Sequence, residues 1–306
     1  MRNNFINTIS ELIQENKDIY LITGDLGFSV FESFIESYSD QFINVGVAEQ
    51  NMIGVASGLA KEGKIPFVYS IANFPIMRCL EQIRNDVCYH HLNVKIVSVG
   101  AGYSYGSLGY THHGLEDIAV MRVMPGMKVI APGDPIETKL ATNSIAVNDG
   151  PFYLRLGKSG EKILHEVDPD FFIGKAIILQ KGHDVTLIST GSILSEVVKA
   201  SRLLEKDGIS ATIASMHTLK PIDDNFIQES MHSKLIVTVE EHSSIGGLGS
   251  AVADIVSQSN SYDANLLKIN TGIDLSKEVG SQSWYRKQCG LNASSIYKTI
   301  RDKIDE

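Results

Sequence analysis

Short apolar runs alternate with longer amphipathic stretches along almost the whole chain, and that rhythm restricts the fold more than any other feature of the sequence. DIYLITGD, FINVGV, KIPFVYS, NVKIVSVGAG, MKVIAPGD and PFYLRLG have the apolar, β-branched character of strands. Between them fall AEQNMIGVASGLAKEG, the segment running to Tyr89, LEDIAVMRVM and PIETKLATNSIAVND, which read as helices, the last begun by Pro135 near its first turn. Such βα alternation implies a parallel sheet with helices on both faces and ligands at the carboxyl ends of the strands. From Lys158 to Gly182 the pattern weakens into extended pieces punctuated by Gly and Pro, a connection carrying some strand. It restarts with DVTLIST, a helix from Ser192 to Asp207, ISATIAS, a short helix after Pro221, KLIVTVEE, a helix after Gly249, LLKINT and a closing helix. The expectation is an α/β protein of two domains, 1–157 and 183–306 joined by 158–182, each a mostly parallel sheet flanked by helices. A chain of 306 residues is long enough to bury a core in both.

Charge narrows the partners. The formal net charge is -9 and Lys and Arg do not cluster, which argues against nucleic acid and anionic membrane surfaces; anionic small substrates stay open, since a few local arginines suffice. Cys79, Cys88 and Cys289 are widely spaced and form no CxxC, so neither a disulfide framework nor a zinc site is suggested. The opening MRNNFINTISEL lacks the apolar stretch of a secretory signal, and no run of about 20 apolar residues occurs. A soluble, cytoplasmic protein is expected.

Candidate chemistry gathers where strands end. Glu49 follows the strand FINVGV at the first turn of a helix rich in small residues. It is either a helix-end acid favoured by the dipole or a site carboxylate at a sheet edge where Gly46, Gly54 and Gly58 permit close approach. Phe74 interrupts the next strand-to-helix connection and is either core or a stacking face. Arg78 and Arg84 follow at about helical spacing, and Arg84 reads as surface or salt-bridged. A loop with four glycines delivers His112 and His113 to a helix start, which suits proton transfer near neutral pH as well as a structural role. Adjacent histidines without a third ligand do not make a metal site. Arg155 in PFYLRLG could bind a substrate phosphate or pair with an acid. EEHSSIGGLGSA could cradle a phosphate at a helix start, although it has neither Walker nor Rossmann spacing.

Taken in order, GDLG, GVAEQNMIGVASGLA, THHGLEDIAVMRVMPGMKVIAPGDPIE, PFYLRLG, TLKPID and VTVEEHSSIGGLGSAV resemble the transketolase family, specifically its pyrimidine-binding domain followed by its C-terminal domain. The resemblance covers nearly the whole chain. It implies thiamine diphosphate as cofactor, with Glu49 hydrogen-bonding the aminopyrimidine ring so that the cofactor serves as its own base, and Phe74 and Arg78 beside that ring. It places His112 next to the reacting substrate, Asp25 at the family's active-site aspartate and Arg155 at its phosphate-binding arginine. Two departures bear on the substrate. GSLG, with Ser107 and Leu108, stands where the family has an acidic pair, and Gly100 stands where familiar members place a further histidine.

No GDG motif for the diphosphate and its metal is recognised here, since GDLG lies too early. The resemblance therefore implies that Mg2+ or Ca2+ is held mainly by a second polypeptide, an N-terminal diphosphate-binding subunit, in a 2+2 heterotetramer acting on sugars or sugar phosphates, with no metal ligand in this chain. The implied reaction is transfer of a two-carbon ketol unit from a ketose to an aldehyde. A deoxyxylulose-phosphate-synthase-like carboligase, the beta subunit of a 2-oxo acid dehydrogenase and a non-catalytic partner-binding subunit are the alternatives.

Overall fold

The computed structural model describes residues 1–27, 30–259, 265–273 and 277–305. Among these, twelve strands form two sheets. They are β1 (Ile19–Thr23), β2 (Phe42–Asn44), β3 (Ile65–Ile71), β4 (Lys95–Val99), β5 (Lys128–Ile130), β6 (Phe152–Leu156), β7 (Ile177–Gln180), β8 (Val185–Thr190), β9 (Ala211–Ser215), β10 (Thr218–Lys220), β11 (Leu235–Glu240) and β12 (Asn265–Ile269). The first sheet runs β10-β5-β6-β4-β3-β1-β2 and the second β12-β11-β8-β9-β7. Every pairing is parallel except β10 on β5 and β7 on β9. The expected architecture, two mostly parallel sheets flanked by helices, is the one observed.

Central strands are apolar without alternation because helices cover both faces. All residues of β4, β6, β8 and β11 are buried, whereas the edge strands β2 and β12 are partly open. One face of the first sheet is sealed by the helix Arg2–Glu15, which buries Phe5, Ile9 and Ile13 beside the helix Pro135–Val147. That second helix starts where its residues dictate: Asp134 caps it by accepting from the Glu137 N–H at 2.8 Å, and Pro135 occupies the first helical position. The opposite face packs the helix Glu49–Lys61 through Met52, Ile53 and Ala56. No helix among the described residues is long and apolar enough to cross a membrane.

The two sheets are stitched together by features that periodicity does not reveal. β10 comes from the second half of the chain yet pairs with β5 of the first sheet, Thr218 opposite Ile130. Between β9 and β10, His217 is fully buried and stacks on Phe171 of the connecting segment at 4.0 Å. β7 lies inside the 158–182 stretch and pairs with β9, so its residues belong to the second sheet. One apolar cluster runs from Ile22 and Met52 in the first sheet's layer to Ile236 and Leu248 in the second's. The carboxyl ends of the first sheet's strands consequently face a flank of the second domain as well as open surface.

Candidate functional site

Four segments meet at the carboxyl ends of β1, β2, β3 and β4. Glu49 opens the helix Glu49–Lys61 after Ala48, which offers no side-chain cap. Its carboxylate is 5% exposed and accepts from Arg78 Nη1 at 2.8 Å, so it is directed across the cleft and not at the helix's own amides. Arg78 is anchored from behind, its carbonyl accepting from Gln50 Nε2 at 3.0 Å, and its guanidinium carbon lies 4.1 Å from the centre of the Phe74 ring. A planar cation is thus sandwiched between an aromatic face and a buried carboxylate, two interactions that reinforce each other where solvent is partly excluded. Arg78 itself is 48% exposed. Arg84, by contrast, is exposed and meets Asn85.

Phe74 begins a short turn held by Asn73, whose side-chain amide donates to the His113 carbonyl. This ties the Phe74 turn to the glycine-rich loop, and the His112 ring lies edge-on to Phe74 with centroids 5.2 Å apart. His112 is half-buried, with Nδ1 3.0 Å from the Thr111 hydroxyl. His113 points the other way, buried, its Nε2 3.1 Å from the Gly106 carbonyl; burial lowers its pKa below the ordinary imidazole value. Asp25 sits on the rim of the cleft in a left-handed conformation (φ 58°), held by Asn44, which accepts from its N–H at 2.9 Å and donates to its Oδ1 at 3.2 Å. The neighbouring Gly24 abuts Glu49: a Cβ there would lie 3.8 Å from Glu49 Cγ.

Arg155 does not join this group. It is 2% exposed, its Nε donates to Asp117 Oδ2 at 2.6 Å, and its Nη2 donates to the carbonyls of Gly114 and Glu241 at 2.7 and 3.1 Å. Burial alone would raise the Asp117 carboxyl, but Arg155, with a further donation from Tyr153, holds it below the usual range. Of the two roles open to Arg155 in the sequence, the geometry supplies the acid partner, with Nε and Nη2 both engaged inside the domain junction. The phosphate cradle suggested for EEHSSIGGLGSA is likewise filled, because Glu240 accepts from the N–H groups of Leu248 and Gly249 at 2.7 and 2.8 Å.

One cluster among the described residues, Asp134, Glu137 and His165, has the composition of a metal site. Its acceptors are taken by the N–H groups of Gly133, Glu137 and Leu164 and by the Ser215 hydroxyl. It acts as a helix cap and a tie between the domains.

Comparison with known proteins identifies the family. The model of the transketolase pyrimidine-binding domain matches residues 1–160, and that of the transketolase C-terminal domain matches 174–296. The chain belongs to the transketolase family. A putative transketolase C-terminal section of Methanocaldococcus jannaschii is 41% identical, over 99% of this chain and 96% of that protein. One of the subunits of the apulose-4-phosphate transketolase of Phocaeicola vulgatus is 38% identical, over 84% of this chain and 83% of that protein. A solved structure described as a split gene transketolase in an inactive beta4 tetramer superposes with a TM-score of 0.88 at 37% identity, over 98% of this chain and 96% of that one.

Within the transketolase frame, sequence patterns had missed the residues behind the His112 loop: Asp117, Glu241, Gln282 and Arg286. The signal available was weak. Acids and an arginine in otherwise apolar or turn-rich segments look like surface residues until the partner segment is known.

Proposed function

We propose that this transketolase-family chain is the pyrimidine-side subunit of a heteromeric, thiamine-diphosphate-dependent transketolase that moves a two-carbon ketol unit from a ketose donor to an aldehyde acceptor. The observation that carries the reading is the Glu49–Arg78–Phe74 group, a buried carboxylate and an aromatic face that jointly hold a planar cation. An aminopyrimidine offers the same two handles, a flat face and a ring nitrogen able to carry a proton, so these residues fit the cofactor. When bound, thiamine diphosphate supplies a carbon nucleophile that accepts and releases the ketol unit. Glu49 would accept the hydrogen bond from the ring nitrogen and keep a proton on it. Phe74 would stack on the ring, and Arg78 would stay as a contact at its edge. His112, half-buried beside Phe74, would hold or move a proton on the substrate, as a histidine can near neutral pH. Asp25 on the rim would accept from a substrate hydroxyl.

A second polypeptide accounts for the surface around this group. Val47, Met77, Leu108 and Tyr110 are large apolar residues left exposed there, as expected of a face that another chain covers. We assign the cofactor's diphosphate and its Mg2+ or Ca2+ to that partner, in a 2+2 assembly; the relatives named as a section or a subunit support this reading. For an anionic group on the sugar, Lys158, Lys162, Lys199 and Arg286, together with Glu161 and Glu196, line a cavity of about 260 Å3 near the root of the His112 loop.

Calorimetric titration of thiamine diphosphate with magnesium into the chain alone, and into the chain co-purified with its native partner, tests the proposal. Binding is expected only with the partner, and tight binding to the lone chain would overturn the subunit assignment. In the assembled enzyme, Glu49→Ala is expected to lower turnover on the order of 10²–10³-fold while assembly persists; unchanged turnover would overturn the catalytic assignment.

A further inference from the structure

One residue of the second domain sits at the root of the loop that carries His112. Residues 103–113 form a closed excursion whose base is pinned by reciprocal hydrogen bonds between Gly102 and Gly114 at 2.9 and 3.0 Å. Directly behind that base lies Glu241, the residue after β11, only 3% exposed. Its Oε1 accepts from the Tyr103 N–H at 2.6 Å and from Gln282 Nε2 at 3.0 Å, and its Oε2 accepts from Arg286 Nε at 2.6 Å. Its carbonyl takes Arg155 Nη2, the same nitrogen that donates to the carbonyl of Gly114 at the far end of the loop. The Glu241 carboxylate therefore grips the Tyr103 end of the excursion, and its carbonyl shares Arg155 Nη2 with the Gly114 end.

The packing leaves this grip little play. A Cβ on Gly102 would lie 2.6 Å from Glu241 Cγ. The Tyr103 ring stacks on Tyr285 at 4.4 Å, with His113 edge-on to both. A Cβ on Gly106 would meet the Gly280 carbonyl at 2.6 Å. A buried carboxylate with all its acceptors used is a rigid fixture, because each partner would be costly to strand.

We infer that Glu241 is the positioning residue for His112: by holding the Tyr103 amide, the second domain sets where the histidine stands over the cleft. This rests on the role proposed above for His112. A residue that merely glued the domains together would weaken stability without acting through His112, and a double-mutant cycle separates the two.

In the chain with its partner, Glu241→Ala is expected to lower kcat by about 10–10²-fold with KM and cofactor affinity nearly unchanged, since a displacement of about 1 Å suffices for that loss. Glu241→Gln, which keeps an acceptor toward Tyr103, should restore most of the rate. In a His112→Ala background, Glu241→Ala should cost nothing further. An equal loss in both backgrounds, or no loss in the first, overturns the inference. Should Glu241→Ala fail to fold, Glu241→Asp, which keeps the charge but cannot span Tyr103 and Arg286 together, takes its place in the cycle. Hydrogen exchange on the chain alone gives an independent arm. The amides of 103–113 should exchange faster in the variant, and unchanged protection overturns the anchoring itself. If His112→Ala leaves turnover intact, the reading of His112 fails while the exchange result still decides the anchor.

Discussion

Two arginine–carboxylate pairs belong to the first sheet and its flanking helices, and they do opposite things. Arg78 meets Glu49 at 2.8 Å across an open cleft and Arg155 meets Asp117 at 2.6 Å inside the domain junction. The first arginine is half exposed, with one carboxylate and one ring as neighbours; the second is buried, with a carboxylate and two carbonyls on its Nε and Nη2. An ion pair whose cation is open to water is exchangeable, so Glu49, buried behind Arg78, can trade its partner for another planar cation. A buried pair must be kept whole, because stranding either charge in the interior is expensive. Residue type is shared, and solvent access decides which pair can serve a ligand.

The most direct way to break the comparison is Arg155→Met, which leaves Asp117 buried and unpaired. A loss of about 3–5 kcal/mol in chemical denaturation is expected; a loss below about 1 kcal/mol would show that the junction pair is no more committed than a surface one.

Acid sharpens the contrast at smaller cost. Burial pushes His217 in the junction from 6.5 down to about 4. Its folded-state pKa is depressed, so the unfolded chain takes the proton first as pH falls. The associated stability is fully present above pH 6.5, is lost progressively down to about pH 4, and amounts to roughly 3 kcal/mol. Unfolding free energies measured at pH 7 and 4.5 should therefore differ less in His217→Gln than in the unaltered chain. Equal differences would mean that the junction histidine is not held neutral by its surroundings.

The smallest effect belongs to the half-open pair. Arg78→Ala is expected to lower unfolding stability by about 1 kcal/mol, because removing a half-exposed arginine lets water reach the carboxylate of Glu49 behind it. Its effect should appear in binding, as a cofactor affinity several-fold weaker in the assembled enzyme by calorimetry. A stability loss matching that of Arg155 would erase the distinction between the regions.

Much of the fold was legible because strand and helix rhythm is local. KLIVTVEE and NVKIVSVGAG coincide with β11 and β4, and Pro135 stands at the start of its helix as its chemistry requires. β7 and β10 were harder to place because each is only three or four residues long and pairs antiparallel at a sheet edge. The site was half legible. Glu49, Phe74, Arg78, Asp25 and His112 stand at strand ends, where α/β proteins expose their ligands, and the chain's resemblance singled them out in order. Arg155 shares that address in sequence but lies within β6, so its side chain points into packing and not into the cleft.

By itself, then, the sequence determined the two α/β layers and the strand ends that bear chemistry, for both follow from residues a few positions apart. The tertiary structure alone decided which charged groups are free. Glu240 and Glu241 are neighbours of identical chemistry. The first caps the helix Leu248–Ser257 eight residues on, and the second holds the Tyr103 amide from 138 residues away. No local pattern separates them, because what a buried carboxylate does depends on which donors the fold brings within reach.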